Sequence, residues 1–211
     1  MLQYVTNALK GFNHKNLHKP QDQPYLHVKP NYGAKAQYAK NDSSSPLLSP
    51  EDKKFVQEVV GAFLYYDRAL KVTMLPALGL LATQQASPTE NTMKKVKQFL
   101  DYAATHPNVI ITYHASDMVL AGHSDASYLS EKKSRSRAVD HFFMSSSTAN
   151  LPNNGAVLTA SQVIKTVMSS AAEAELGALF INSKRDGAQT TPDANANGQH
   201  NCTWRRLAQH R

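Results

Sequence analysis

The chain has 211 residues, enough for one large domain or two small ones, and its 41% hydrophobic content allows a buried core. Its single cysteine, Cys202, excludes an internal disulfide framework and a cysteine-based zinc site, and favours an intracellular setting, cytoplasmic or nuclear. No apolar run approaches the roughly 20 residues of a membrane helix, and the N-terminus lacks the form of a signal peptide. The formal charge of +7 favours a polyanionic partner, nucleic acid first.

The first fifty residues predict one short helix and a linker. From Tyr4 to Phe12, the side chains of Val5 and Leu9 recur on one helical face. Residues 19–48 carry several prolines and the run Asp42-Ser43-Ser44-Ser45, and no helical or strand period survives there. This stretch therefore predicts an extended linker.

Residues 49–108 predict three helices. The first begins at Ser49-Pro50-Glu51-Asp52, which combines a serine N-cap, a proline in the first turn and acids near the positive end of the dipole. A second helix is predicted from Thr73 through Leu81. The third follows a capping box at Ser87-Pro88-Thr89-Glu90 and stops at His106-Pro107-Asn108. Its predicted inner face consists of Met93, Val96, Phe99, Leu100 and Ala103.

From Val109 the pattern favours strands. Residues 109–113 form a short stretch of mainly apolar and β-branched residues. A turn at residues 115–117 then leads to a second such stretch that runs on to Asp125, and this pattern predicts a hairpin. Further strands are predicted over residues 139–144 and 156–167, with a turn at Pro152-Asn153-Asn154-Gly155 between them. The order of helices, then strands, then a helix predicts α+β or α/β layering.

The last predicted helix runs from about Ser169 to Ser183. Its predicted inner face consists of Ala172, Leu176, Leu179 and Phe180. Beyond Arg185 only scattered apolar side chains remain, too few to offset the entropy of ordering the chain. We therefore predict disorder over residues 186–211.

Two acidic motifs are candidates for a metal site. Phosphodiester cleavage with Mg²⁺ needs clustered carboxylates, and Asp125, in a strand context, is the strongest candidate. Glu173 and Glu175 lie roughly 200° apart on a helix, so they cannot both face one site. Glu175 neighbours Ala172 and Leu179 and is expected to face the sheet, whereas Glu173 faces water or serves the helix dipole. The alternative to metal binding is that Asp125 is a solvated residue at the end of a strand and that both glutamates only interact with the positive N-terminal end of the helix dipole.

The densest basic run lies just after the Asp125 strand. Phosphate contact is the function that we consider for Lys132, Lys133, Arg135 and Arg137. A solvated hairpin tip and a nuclear-localisation patch are the alternatives.

Several separated stretches together resemble a copia-type LTR retrotransposon polyprotein. The similarity covers about residues 1–185 and spans the end of the reverse transcriptase, its connection and the start of the ribonuclease H domain. The stretches that carry it are YVTNAL (4–9), FNH (12–14), VGAFLYY (60–66), TMLPAL (73–78), DYAAT (101–105), YHASDMVL (113–120), SDA (124–126) and SSAAEAELGAL (169–179).

The resemblance implies a ribonuclease H-like fold from about Tyr113, with Asp125 and Glu175 as ligands of Mg²⁺ or Mn²⁺ and an RNA–DNA hybrid as substrate. The family needs a third aspartate in a Thr-Asp-Asn type motif, whereas Asp186 and Asp193 lie in a segment without strand character. The polymerase aspartates of the family would precede Met1. The change of composition after Arg185 indicates a shifted reading frame or a degenerate copy.

The sequence therefore predicts an α/β chain in five parts. They are a reverse transcriptase remnant (1–18), a linker (19–48), a helical connection (49–108), an incomplete ribonuclease H-like mixed sheet with a helix (109–185) and a disordered tail (186–211), for which a shifted reading frame is one hypothesis. The resemblance implies that the complete domain of intact relatives hydrolyses RNA–DNA hybrids with two metal ions. For this chain we expect weak or no hydrolysis. The alternatives are a non-catalytic nucleic-acid-binding module and a chain without a stable fold. We expect other parts of the polyprotein, and no membrane, as partners. Because later strands of the domain are missing, we also expect an exposed sheet edge, which favours aggregation.

Overall fold

Helices fill the first part of the chain and strands most of the second, which confirms a mixed α/β class. The computed structural model describes residues 3–14, 20–26, 45–146, 153–189 and 203–206, and the predicted linker falls largely outside these ranges. The chain divides into two units at Ile110. We call the described residues up to Ile110 the helical unit and those from Ile111 onward the sheet unit. No helix in the described ranges is long and apolar enough to cross a membrane.

The helical unit consists of four α-helices, and a 3-10 turn at Val72–Met74 precedes the third. The helices are α1 (Tyr4–Gly11), α2 (Pro50–Ala69), α3 (Leu75–Gln84) and α4 (Glu90–Thr105). The predicted start of α2 is confirmed, because the hydroxyl of Ser49 accepts a hydrogen bond from the Asp52 amide at 3.1 Å.

The predicted capping box of α4 is wrong by two residues. Thr89 is the N-cap, and its amide donates to the Thr92 hydroxyl at 3.1 Å. Residues before the helix are held extended, because the Leu48 amide donates to the Pro88 carbonyl and the Glu90 amide to the Pro46 carbonyl, both at 3.0 Å. Because residues 88–90 are paired with residues 46–48, about 40 residues earlier in the chain, α4 begins only at Glu90.

One apolar core joins all four helices of this unit. The rings of Phe63 and Phe99, both fully buried, meet edge-on with centroids 5.2 Å apart. Helix α1 joins this core through Val5, which is 1% exposed, and Tyr4, whose ring stacks on that of Tyr66 at 5.3 Å. The predicted reverse transcriptase remnant and helical connection therefore pack as one unit.

The sheet unit consists of four strands and one helix, which are β1 (Val119–Glu131), β2 (Arg135–Ser145), β3 (Ala156–Val167), α5 (Ala171–Gln189) and β4 (Thr203–Arg206). The strands form a mixed sheet in the order β3-β2-β1-β4. Strands β1, β2 and β3 form an antiparallel meander, and β4 pairs with β1 in parallel. Helix α5 follows β3 in the chain and packs on β1 and β2.

The predicted strands over residues 139–144 and 156–167 are confirmed, but the predicted hairpin is wrong. Residues 107–118 form no strand, and the Ile110 side chain is 90% exposed. The hairpin instead joins β1 and β2 and turns at Lys132–Ser134. In the sheet β1 pairs with β2 on one side and, over residues 121–124, with β4 on the other, and residues 109–113 take no part in it.

Helix α5 is confirmed, but its predicted inner face is wrong. The helix buries Ala174, Ala178 and Asn182, whereas Leu176 and Phe180 are 67% and 60% exposed. The sheet opposite presents small residues such as Ala126 and Ala138, so only small side chains fit the close approach.

The tail predicted to be disordered is ordered in two places that the structure describes. Helix α5 continues through Gln189, and residues 203–206 form β4 beside β1. Pairing with β1 satisfies the backbone of this short strand, which local composition cannot reveal. The rest of residues 186–211 lies outside the described ranges.

Candidate nucleic-acid site

Asp125 lies on an inner strand of the sheet, on the face that α5 does not cover. Successive residues of β1 point to opposite faces, and the pairing of β1 with β2 is regular on both sides of Asp125. Ala126 packs against α5, and the hydroxyl of Ser124 accepts a hydrogen bond from the Asn182 amide nitrogen of α5 at 2.8 Å. Asp125, between these two residues, therefore faces away from the helix.

Glu175 belongs to the helix on the other face. It is half-buried at the border of the buried side of α5, between the fully buried Ala174 and the exposed Leu176. A Mg²⁺ ion bound by both carboxylates would need an oxygen of each within about 2.1 Å. Asp125 belongs to the face of the sheet that α5 leaves uncovered, whereas Glu175 belongs to α5 itself. Among the residues that the structure describes, no group of three or more His, Cys, Asp or Glu is arranged to hold a metal ion.

Asp140 lies on the face of the sheet that α5 covers, and the sequence analysis did not include it among the candidate ligands. Asp140 is 1% exposed and lies directly opposite Ser124 in the β1–β2 ladder. Asn182 of α5 donates to the Val139 carbonyl at 3.0 Å as well as to Ser124. The helix therefore closes over a polar patch of the sheet through the Asn182 amide nitrogen, whereas Oδ1 of Asn182 is buried without a hydrogen-bond partner among the described residues.

Glu173 has the role predicted for a first-turn glutamate. Its carboxylate is exposed and accepts hydrogen bonds from the Ser169 amide at 2.6 Å and the Ser169 hydroxyl at 2.5 Å. Both hydrogen bonds favour the charged form and hold the pKa of Glu173 below its ordinary value. The Ser170 hydroxyl in turn accepts from the Glu173 amide at 3.1 Å, so this pair caps the start of α5.

The face that carries Asp125 also carries a histidine pair. His123 and His141 lie directly opposite each other in the ladder, with ring centroids 6.4 Å apart, and both contact the ring of Phe143. Burial lowers the pKa of His141, and a hydrogen bond with the backbone of Asn154 partly offsets this effect. The sequence alone gave these histidines no role, because residues 123 and 141 come together only through the pairing of β1 with β2.

The basic run lies at the turn between β1 and β2, as the hairpin-tip alternative required. Lys132 and Lys133 are exposed there, and Arg135 is half-buried at the start of β2. Arg137 differs, because it is 6% exposed and its Nε donates to a carboxylate oxygen of Glu131 at 2.6 Å. Its guanidinium also donates to the Ser161 hydroxyl at 3.1 Å. Arg137 holds the strands together, and we do not include it among the proposed phosphate contacts.

Lys165 is a further basic residue at the same end of the sheet. It is exposed on β3, between the register pairs Arg137–Val163 and Arg135–Val167. No local pattern relates it to the basic run, because 30 residues separate the two in the chain. We call Lys132, Lys133, Arg135 and Lys165 the basic tip.

Comparisons with known proteins give no relative for this arrangement. Neither a family model, nor a curated protein, nor a solved structure matches the chain.

Proposed function

We propose that the sheet unit is a ribonuclease H-like module of a copia-type retroelement that binds RNA–DNA hybrids and hydrolyses them weakly or not at all. The observation that carries the proposal is the sheet order β3-β2-β1-β4, with α5 packed on it and Asp125 on the inner strand β1. It suits the mixed sheet with a helix that the resemblance implies.

The basic tip supports binding. Exposed lysines attract phosphates and displace their counterions, which supplies affinity without reading sequence. Lys132 and Lys133 project from the hairpin turn, and Lys165 adds a third exposed ammonium at that end of the sheet. The chain as a whole is also basic, with a formal charge of +7.

The separation of the two predicted ligands supports weak or absent hydrolysis. Catalysis by two ions needs carboxylates that converge on one place. Asp125 is on the face of the sheet that α5 does not cover, and Glu175 is on α5, so the two carboxylates begin on opposite sides of the sheet.

Hydrolysis is tested with a labelled RNA–DNA hybrid in Mg²⁺ or Mn²⁺, comparing the unmodified chain with Asp125→Asn and Glu175→Gln. We expect the same cleavage rate from all three proteins, close to the rate without protein. Both substitutions keep the shape of the side chain, and circular dichroism checks that each variant folds. Rapid, metal-dependent cleavage that Asp125→Asn abolishes would overturn the proposal of a weak or inactive module.

Binding is tested by titrating the same hybrid at several salt concentrations. The double variant Lys132→Gln/Lys133→Gln is expected to bind more weakly and to lower the slope of log K against log salt by about 2. Lys184→Gln is the matched control, because Lys184 is an exposed lysine of α5 whose ammonium lies over the Phe180 ring.

Two outcomes would count against hybrid binding at the basic tip. One is the absence of salt-dependent binding by the unmodified chain. The other is an equal loss in the double variant and in Lys184→Gln, which would indicate a general charge effect.

A further inference from the structure

Two ionisable side chains are buried near the C-terminal end of α2. Asp67 is fully buried, and neither of its carboxylate oxygens has a hydrogen-bond partner within the described part of the chain. Lys71, four residues on, is 4% exposed. A buried charge without a hydrogen bond is costly, so the protonation of this pair is coupled to its surroundings.

The ammonium of Lys71 is held by α4 and not by the carboxylate. Its Nζ donates to the His106 carbonyl, at the C-cap of α4, and lies 4.8 Å from the centroid of the Tyr102 ring. No ion pair between Asp67 and Lys71 is formed. The carbonyls at the end of a helix lack partners within the helix, so this hydrogen bond fixes the end of α4.

Burial raises the pKa of Asp67 to about 8, and the nearby Lys71 offsets part of this effect. Burial likewise lowers the pKa of Lys71. Near neutral pH Asp67 is therefore protonated and does not compete for the ammonium. Above that range a carboxylate forms close enough to Lys71 for the two charges to attract each other.

The other titratable groups at this place come from α1, α2 and the end of α4, and the α1 group is Tyr4, whose ring stacks on that of Tyr66. The Tyr66 hydroxyl donates to the Pro107 carbonyl at 3.4 Å, and burial and the charge of Asp67 raise the pKa of Tyr66. On α4, the Tyr102 hydroxyl lies 3.3 Å from that of Thr73, and the His106 ring lies 4.9 Å from the Tyr102 ring. The Tyr66 contact joins Lys71 in tying residues 106 and 107 to α2.

We propose that Asp67, Lys71 and His106 form a proton-operated latch at the end of α4. With Asp67 neutral, the Lys71 ammonium holds the His106 carbonyl. When Asp67 releases its proton to solvent, the ammonium turns to the new carboxylate and frees the His106 carbonyl, while the hydrogen bond from Tyr66 to Pro107 remains. The latch lies within the helical unit and does not depend on the proposed binding of RNA–DNA hybrids.

Nuclear magnetic resonance on the full chain tests the latch between pH 5 and 10. The ¹³C shifts of the Asp67 carboxyl and of the His106 backbone carbonyl are expected to change together, with one midpoint near the pKa of about 8. In Asp67→Asn the His106 carbonyl shift should lose that transition. In Lys71→Met, the His106 carbonyl should show at every pH the ¹³C shift of a carbonyl that accepts no hydrogen bond from residue 71.

Each alternative result would overturn the latch. An Asp67 carboxyl that titrates near its ordinary pKa of about 4 would show that burial does not retain the proton. A His106 carbonyl transition that persists near pH 8 in Asp67→Asn would assign it to another group. Asp67→Asn keeps the shape of the side chain and its neutral state, so this variant is expected to fold.

Discussion

Replacing Phe63 by alanine is expected to lower the free energy of unfolding of the helical unit by about 3–5 kcal/mol. Phe63 is fully buried at the centre of the core that all four helices share, and its ring meets that of Phe99 edge-on. The substitution removes the transfer free energy of the ring and leaves a cavity that rigid neighbouring helices cannot close. Urea unfolding followed by circular dichroism measures the loss.

Tyr65→Ala is the matched control, because Tyr65 lies two residues away on the same helix and is 65% exposed. It is expected to change the free energy of unfolding by only about 0.5 kcal/mol. Similar losses for Phe63→Ala and Tyr65→Ala would contradict a core centred on Phe63.

Asp67 is expected to make the stability of the helical unit fall as pH rises from about 4 to about 8. The unfolded chain releases the Asp67 proton at an ordinary pKa of 3.8, whereas the folded chain holds it to about 8. The stabilising contribution is therefore complete below the unfolded pKa and is lost as pH passes the folded one. Since one pKa unit corresponds to about 1.4 kcal/mol, the loss over this range is on the order of 6 kcal/mol at most.

The variant Asp67→Asn isolates this contribution, because an amide cannot ionise. We expect it to be more stable than the unmodified chain at pH 8 and above, with the difference shrinking towards pH 4. Glu58→Gln is the control, since Glu58 is an exposed acid on the same helix, paired only with Lys54 at 3.7 Å. A difference between Asp67→Asn and the unmodified chain that is independent of pH would contradict the raised pKa.

The elements of the helical unit could be predicted because their signals are local. The Ser49 cap, the apolar period of α2 and the stop at His106 all act within a few residues, and the structure bears them out. The start of α4 could not be predicted in the same way. It depends on the pairing of Pro88 with Leu48, which local propensity does not record.

The candidate site was less predictable than the elements that carry it. The position of Asp125 in a strand is correct, and so are the helix of Glu175 and the exposed place of Glu173. Whether two such residues meet depends on which face of the sheet the helix covers. The inner face of α5 was misjudged because the apolar Leu176 was preferred over Ala174, whereas close packing on Ala126 requires the smaller residue.

The sequence by itself determined where the helices and most strands lie, because a period of 3.6 or 2 and a capping residue are properties of neighbouring positions. Only the tertiary structure decided that β1 lies inside the sheet, that Asp125 and Glu175 lie on opposite sides of it, and that Arg137 is committed to Glu131. It also decided that Asp67 is buried beside Lys71 without an ion pair. These outcomes depend on contacts between segments that are far apart in the chain. The packing and desolvation that such contacts cause cannot be inferred from a local sequence pattern.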